Sequence, residues 1–198
     1  MNKNKVSIII LAAGASRRMG QPKQLLPYRG DLLLNYVIKC ALSSSGKPII
    51  VILGANADRI EPEIDRFAIE IVQNKEWNEG ISSSIRCGIE YIKKHFSEIE
   101  GTIFLTCDQP FISPKIIARL IAVYNDNNKL IIASKYRETI GIPALFPSSF
   151  FPELSKLKGD RGAKKTIQKY RDRVVTIEFP RGEIDLDTQE DYRQFIPD

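Results

Sequence analysis

Four stretches of this chain carry residues whose types and spacing suit chemistry on phosphates. The first is Leu11-Ala-Ala-Gly-Ala-Ser-Arg-Arg-Met-Gly-Gln-Pro-Lys23. Small residues such as Ala12, Ala13 and Gly14 leave backbone N–H groups free to approach an anion. Arg17 and Lys23 add positive charge at the same edge. The stretch is neither G-x-G-x-x-G nor G-x-x-x-x-G-K-[ST], so it is neither a dinucleotide fingerprint nor a P-loop. The second stretch runs from Asn74 through Trp77 and Gly80 to Ser82, Ser83 and Ser84. The three hydroxyls sit where a helix begins. One can cap it, and the others can present donors to a base or ribose. Trp77, the only tryptophan, reads as a core residue.

The third stretch is Thr106-Cys-Asp-Gln-Pro110. Asp108, at the carboxyl end of an apolar run and before a proline turn, either caps that turn or holds Mg²⁺ against a triphosphate. The fourth is Glu183-Ile-Asp185-Leu-Asp187-Thr188. Asp187 either N-caps the last helix, with Glu190 closing a capping box, or supplies a second ligand to the same metal. Two carboxylates with bound phosphates suit a magnesium ion that keeps several waters. Between these stretches, Lys158-Gly-Asp-Arg-Gly-Ala-Lys164 reads as a loop entering a helix. Gly162 and the neighbouring cations either form a plain turn there or bind an acceptor phosphate. Cys107 has no base partner and reads as a buried residue. His95, the only histidine, falls near a helix end, so a histidine triad or zinc site is excluded.

The elements that must position these groups follow from periodicity. Apolar runs at 6–11, 48–53, 69–73, 102–106, 130–133, 144–146 and 174–179 read as strands. Helical spacing covers 32–42, 55–66, 82–95, 163–170 and 188–195, and Ser113-Pro114 opens another helix as N-cap and first-turn proline. Continuous apolar strands alternating with helices give an α/β fold, a Rossmann-like three-layer αβα arrangement around a mostly parallel sheet. Ligands bind such sheets outside the carboxyl ends of the strands, where all the chemistry above lies. Residues 1–198 read as a single domain, with short loops and no repeat or linker.

Composition narrows the class. Hydrophobic residues make up 43% and charged residues 27%, a globular balance. The formal net charge of +5 is spread along the chain and attracts anions only weakly. No element interleaves basic and aromatic residues as a nucleic-acid module would. No segment has the ~20 apolar residues of a membrane span. Three scattered cysteines fit a reducing, cytoplasmic compartment. Lys3 and Lys5 before the apolar run 6–13 imitate a signal peptide, but a buried first strand explains the run better.

Taken together, LAAGASRRMGQPK, NKEWNEGISSSIRCGI, LTCDQP, GIPALF, LKGDRGAK and DLDTQEDY resemble the MobA-like nucleotidyltransferases. Within them the chain most resembles the molybdenum cofactor cytidylyltransferases (MocA-like proteins). The first and third motifs are shared by many nucleotidyltransferases; the second, with GDRGAK and DLDT, points to this subgroup. The resemblance implies transfer of CMP from CTP to the phosphate of Mo-molybdopterin, giving the cytosine dinucleotide and pyrophosphate. It implies Mg²⁺ held by Asp108 and Asp187, and Arg17 and Lys23 on the phosphates, with Arg17, Lys23 and Asp108 as the catalytic set. It further implies a nucleotide-contacting set of Leu11, Ala12, Ala13, Gly14, Lys23, Gly80, Ser83, Ser84 and Asp108. A molybdoenzyme maturation chaperone or a xanthine dehydrogenase-type enzyme is the implied partner, with neither nucleic acid nor membrane involved. One departure concerns the acceptor: relatives often read Gly-His-Pro where this chain has Gly141-Ile142-Pro143. Rival readings are a sugar or alditol phosphate acceptor, GTP as donor, or a non-enzymatic molybdopterin-carrying maturation factor.

Overall fold

Val6–Leu11 forms the first strand, β1, and all six residues are buried. Three isoleucines between valine and leucine suit a strand covered on both faces. The computed structural model describes residues 5–195. Lys3 of the basic N-terminal pair lies outside the described residues, as do both ends of the expected 1–198 domain. After β1, Pro27–Tyr28 (β2) and Asp31–Leu32 (β3) make a small hairpin and Leu33–Leu42 is helix α1. Next come Ile49–Leu53 (β4), Ala57–Ile64 (α2), Glu70–Gln73 (β5), Ile81–His95 (α3) and Gly101–Thr106 (β6). Pro114–Asp126 (α4), Ile131–Tyr136 (β7) and Thr139–Pro147 (β8) follow. Phe151–Leu154 (α5), Lys164–Lys169 (α6), Val174–Glu178 (β9) and Gln189–Phe195 (α7) complete the elements.

The main sheet has seven strands in the order β5-β4-β1-β6-β8-β7-β9. Every neighbouring pair is parallel except the two made by β8. Alternation along β1 sends Ile8 and Ile10 into a core under α1, α2 and α4. Ile9 and Leu11 enter the opposite core under α3, α5 and α6. The α/β, Rossmann-like three-layer expectation therefore holds, with helices on both faces of a mostly parallel sheet.

From β1 the chain steps to β4 and β5 on one side, then returns with β6 on the other. The topological switch point thus lies between β1 and β6, which is where open α/β sheets bind ligands. The register pairs Leu11 with Thr106, so the two strands end side by side.

The structure extends two strand readings. The runs at 130–133 and 144–146 are the inner halves of a β7–β8 hairpin reaching Tyr136 and Thr139. Its outer part mixes Ser134, Lys135 and Thr139 with Gly141 and Pro143 beside the isoleucines, which broke the apolar run. The β2–β3 hairpin has no periodic signal because each strand is two residues long. Its turn, Arg29-Gly30, has φ of 50° and 76°, the left-handed pair of a tight two-residue hairpin. Ser113 is the N-cap residue of α4 as expected, but its side chain makes no capping hydrogen bond.

Candidate active site

Beyond β1 the chain turns out over the sheet edge and comes back to Lys23 through a glutamine not singled out by the sequence. Gln24 is fully buried. Its Nε2 donates to the carbonyls of Ala12 (2.7 Å) and Gly14 (3.0 Å). Ser16, held at φ 52°, accepts from the Lys23 N–H at 3.0 Å. These bonds close the loop on itself and fix where Lys23 leaves it. Gly14 has open space where a Cβ would stand, so it admits a ligand to the backbone. The N–H groups of Gly14, Ala15 and Arg17 have no protein acceptor among the described residues. Gln24→Leu, nearly isosteric, should strip two carbonyls of their donor. A loss of about 1–3 kcal/mol on urea unfolding is expected, with weaker nucleotide binding by calorimetry. Wild-type affinity would show that the loop does not depend on this pin.

At the edge of the sheet Lys23 Nζ donates to Asp108 Oδ2 at 2.7 Å and to Asp187 Oδ1 at 3.0 Å. Arg18 donates to the other oxygen of Asp187 at 2.8 Å. Burial works against the Lys23 ammonium, yet Asp108 foremost, with Cys107 and Asp187, holds its pKa above the ordinary lysine value. Burial opposes the charge on Asp187 as well, and Lys23 and Arg18 outweigh it, so its pKa is lowered. The backbone N–H of Leu186 donates to the Asp108 carbonyl at 2.9 Å, tying the 183–187 segment to the end of β6. Thus two carboxylates 79 positions apart meet at one ammonium.

The alternative roles of Asp187 separate here. Thr188 and Asp191 form the reciprocal cap of α7, with Thr188 N–H donating to Asp191 at 2.8 Å and Asp191 N–H to Thr188 at 3.2 Å. Neither Glu190 nor the Asp187 side chain takes part among the described residues. The Asp187 carboxylate is left for the ion pairs. Cys107 is 2% exposed, and burial, with Asp108 beside it, pushes its thiol up to about 12. It is a buried residue and no nucleophile at neutral pH.

These groups line a cavity of about 210 Å³ whose walls include Leu11, Ala13, Gly14, Lys23, Gly80, Ser84 and Asp108. A groove of about 480 Å³ continues from it past Arg17, Arg18 and Asp187. Arg17 is exposed, with no ion-pair partner among the described residues. Most of the residues expected at the site therefore converge. Two do not. Ala12 is 1% exposed, its N–H donates to the Ile52 carbonyl at 3.0 Å, and its own carbonyl takes Gln24. It supports the loop from beneath. Ser83 donates to the Gly80 carbonyl at 2.8 Å and accepts from Asn74 at 2.8 Å. Its hydroxyl holds the start of α3 and faces protein. Ser84 does line the cavity, and Asn74, donating at 3.1 Å, aims it.

One further correction concerns a side chain at the cavity. Trp77 is only half-buried and forms part of the cavity wall, so it is not a plain core residue. Gly54 leaves room for it, since a Cβ there would stand 2.5 Å from the Trp77 Cβ. The 158–164 stretch does not turn its cations toward the nucleotide cavity. Asp160 is the residue of that turn on the cavity wall, and it accepts from the Ile81 N–H at 3.4 Å. Lys158 and Arg161 line a separate pocket, and Lys164 lines another. Ile142 packs against the α3-side core. His95 ends α3 as expected, its ring 4.4 Å from that of Tyr91.

A divalent cation fits the carboxylates. Both donors are hard oxygens, and an ammonium already bridges them. Among the described residues no group of three or more His, Cys, Asp or Glu is gathered to hold a metal alone. The ion would complete its shell with water and phosphate oxygens, the coordination magnesium favours.

The chain is 29% identical to the purine catabolism protein PucB of Bacillus subtilis (strain 168), over 93% of this chain and 92% of that one. It is 29% identical to nicotine blue oxidoreductase of Paenarthrobacter nicotinovorans over 83% and 82%. A molybdenum cofactor guanylyltransferase of Vibrio atlanticus (strain LGP32) is 26% identical over 96% and 95%. The crystal structure of Rv0371c from Mycobacterium tuberculosis H37Rv superimposes with a TM-score of 0.85 at 27% identity, covering 100% of both chains. A manganese complex of Rv0371c superimposes at 0.81, with 27% identity and 98% of each chain covered. No described helix is long and apolar enough to cross a membrane. The family model for the MobA-like NTP transferase domain matches residues 8–174, and with the switch-point site in place the chain belongs to that family.

Proposed function

We propose that this protein is a magnesium-dependent nucleotidyltransferase of the MocA-like kind, moving CMP from CTP onto the phosphate of Mo-molybdopterin. The observation that carries the reading is Lys23 bridging Asp108 and Asp187 at the mouth of the β1–β6 cavity. A second support is the similarity to a molybdenum cofactor guanylyltransferase. The base and ribose lie between the wall of Leu11, Ala13 and Gly14 and the residues Gly80 and Ser84. Asp160 suits the amino edge of a base, because a carboxylate accepts from an exocyclic amine and repels phosphate. Lys23 and Arg17 hold the triphosphate in the groove. Asp108 and Asp187 would hold magnesium, which when bound neutralises charge on the phosphates.

The acceptor's phosphate oxygen bonds to the α-phosphorus in line, the bond from that phosphorus to the bridging oxygen breaks, and pyrophosphate leaves. A phosphate monoester is already anionic, so no side chain need act as nucleophile or base. Catalysis rests on positioning and on cations aimed at developing charge. The product would pass to a maturation chaperone or a xanthine dehydrogenase-type enzyme. Mass spectrometry of products from CTP or GTP with Mo-molybdopterin, alongside sugar and alditol phosphates, tests the reading. No pyrophosphate release with any acceptor would leave the carrier role instead.

CTP should be used in preference to GTP. Ala13 lines a cavity of only about 210 Å³, and a glycine in its place would give the wall more room for a purine. One methyl group discriminates by about 1–3 kcal/mol, so Ala13→Gly should relax the preference without reversing it. Competition between equal CTP and GTP reads this out. Equal or better use of GTP by the wild type would remove the cytidylyl assignment and leave nucleotidyl transfer standing.

A further inference from the structure

The turn at 158–161 is a wall with two sides. Asp160 faces the nucleotide cavity, while Lys158, Gly159 and Arg161 line a different pocket of about 420 Å³. The two spaces share no lining residue. Lys156, Lys165 and Lys169 complete a set of five cations around this second pocket, against the single carboxylate of Glu153. That carboxylate is taken by Lys169 at 2.6 Å. Lys156, Lys158, Arg161 and Lys165 have no ion-pair partner among the described residues. A concave group of like charges with so little internal compensation raises the local concentration of anions.

Thr166 supplies an independent observation. It lines the same pocket, is 2% exposed, and its hydroxyl has no hydrogen-bond partner among the described residues. Buried hydroxyls are normally satisfied, and one left over asks for an absent partner. We propose that this pocket is a second anion site, separate from the nucleotide cavity, that binds a phosphate-bearing small molecule through its cations and the Thr166 hydroxyl. Phosphate oxygens match both kinds of donor.

Its place gives such binding a consequence. The Gly159 carbonyl accepts from the Ser82 N–H at 3.2 Å, and Glu79 accepts from the Gly159 N–H at 3.3 Å. A ligand gripping Lys158 and Arg161 from outside steadies the turn that presents Asp160 inside.

The test is calorimetric titration of the full chain with inorganic pyrophosphate, with chelator present and at physiological ionic strength to screen diffuse attraction. The wild type should show two classes of site. Lys23→Ala should lose the cavity class and keep the other. Lys156→Ala/Lys165→Ala removes two exposed side chains and should weaken the pocket class about tenfold or more while sparing the cavity class. Thr166→Val leaves charge and shape alone and should weaken it several-fold, a change that a diffuse basic patch would not register. A single class in the wild type, lost in Lys23→Ala and untouched by the double variant, overturns the proposal. So does a second class indifferent to both the double variant and Thr166→Val. A wild type that shows only the class weakened by the double variant, with none that depends on Lys23, would count against the nucleotide cavity and leave this pocket standing.

Discussion

Asp108→Asn should fold normally and lose turnover by on the order of 10²–10³-fold, the size of effect usual when one preorganised electrostatic group is removed from a site. The substitution keeps the side chain's shape. It also keeps the backbone bond from Leu186 to the Asp108 carbonyl that holds the 183–187 segment in place. What it removes is the negative charge facing Lys23, on a side chain 20% exposed. The bond to Lys23 survives as a neutral acceptor, so stability should change by no more than about 1 kcal/mol. If the carboxylate holds magnesium, the variant should also need far more magnesium for half-maximal rate. A turn-capping role predicts the reverse: asparagine caps as well as aspartate, so rate and magnesium dependence would stay close to wild type. Near-normal turnover at low magnesium would therefore return Asp108 to a structural role. The comparison requires pyrophosphate release measured across magnesium concentrations, with melting temperatures recorded alongside.

The sheet was legible because its strands are buried on both faces and read as continuous apolar runs. Val6–Leu11 and Ile49–Leu53 carry no ambiguity of that kind. The site was legible where strand ends coincide with unusual residues, as with Gly14 after β1 and Asp108 after β6. Other parts left no periodic trace. Gln24 is a buried polar residue in a loop, and only its two carbonyl partners explain it. The direction of the 158–161 turn depends on Gly159 at φ 68°, which sets successive side chains on opposite sides of the wall. Composition showed cations there but not which way they point. Arg18 and Arg17 are neighbours of one type, and the fold alone gives the ion pair with Asp187 to Arg18. The expected capping box of Asp187 with Glu190 lies one residue further on, at Thr188 with Asp191, because Glu190 and Asp191 are both acidic and only backbone geometry selects Asp191.

Lys23→Met should slow turnover by about 10²-fold or more, destabilise the metal-free protein, and be restabilised by magnesium alone. Sequence placed Lys23 in a loop at the sheet edge, as one of two cations gathered there. The structure puts its side chain at 13% exposure, between carboxylates 20% and 36% exposed. Methionine keeps the apolar stem and removes the charge, leaving Asp108 and Asp187 to repel each other. Stripping one partner from a fully buried ion pair costs about 3–5 kcal/mol. These carboxylates keep some water, so the expected cost is smaller, about 1–2 kcal/mol. Magnesium distinguishes a metal site from a structural ion pair. In the wild type the ammonium already occupies the space between the carboxylates, so magnesium without nucleotide should bind weakly and shift the melting temperature little. In Lys23→Met the carboxylates have no counter-ion, and a ligand that binds only the folded state stabilises it by mass action. Magnesium should then raise the melting temperature of the variant more than that of the wild type, while turnover stays low because the phosphates lack their lysine. A variant that stays destabilised at every magnesium concentration would mean that Asp108 and Asp187 serve Lys23 as partners and hold no metal. Full turnover in the variant would remove Lys23 from the chemistry altogether.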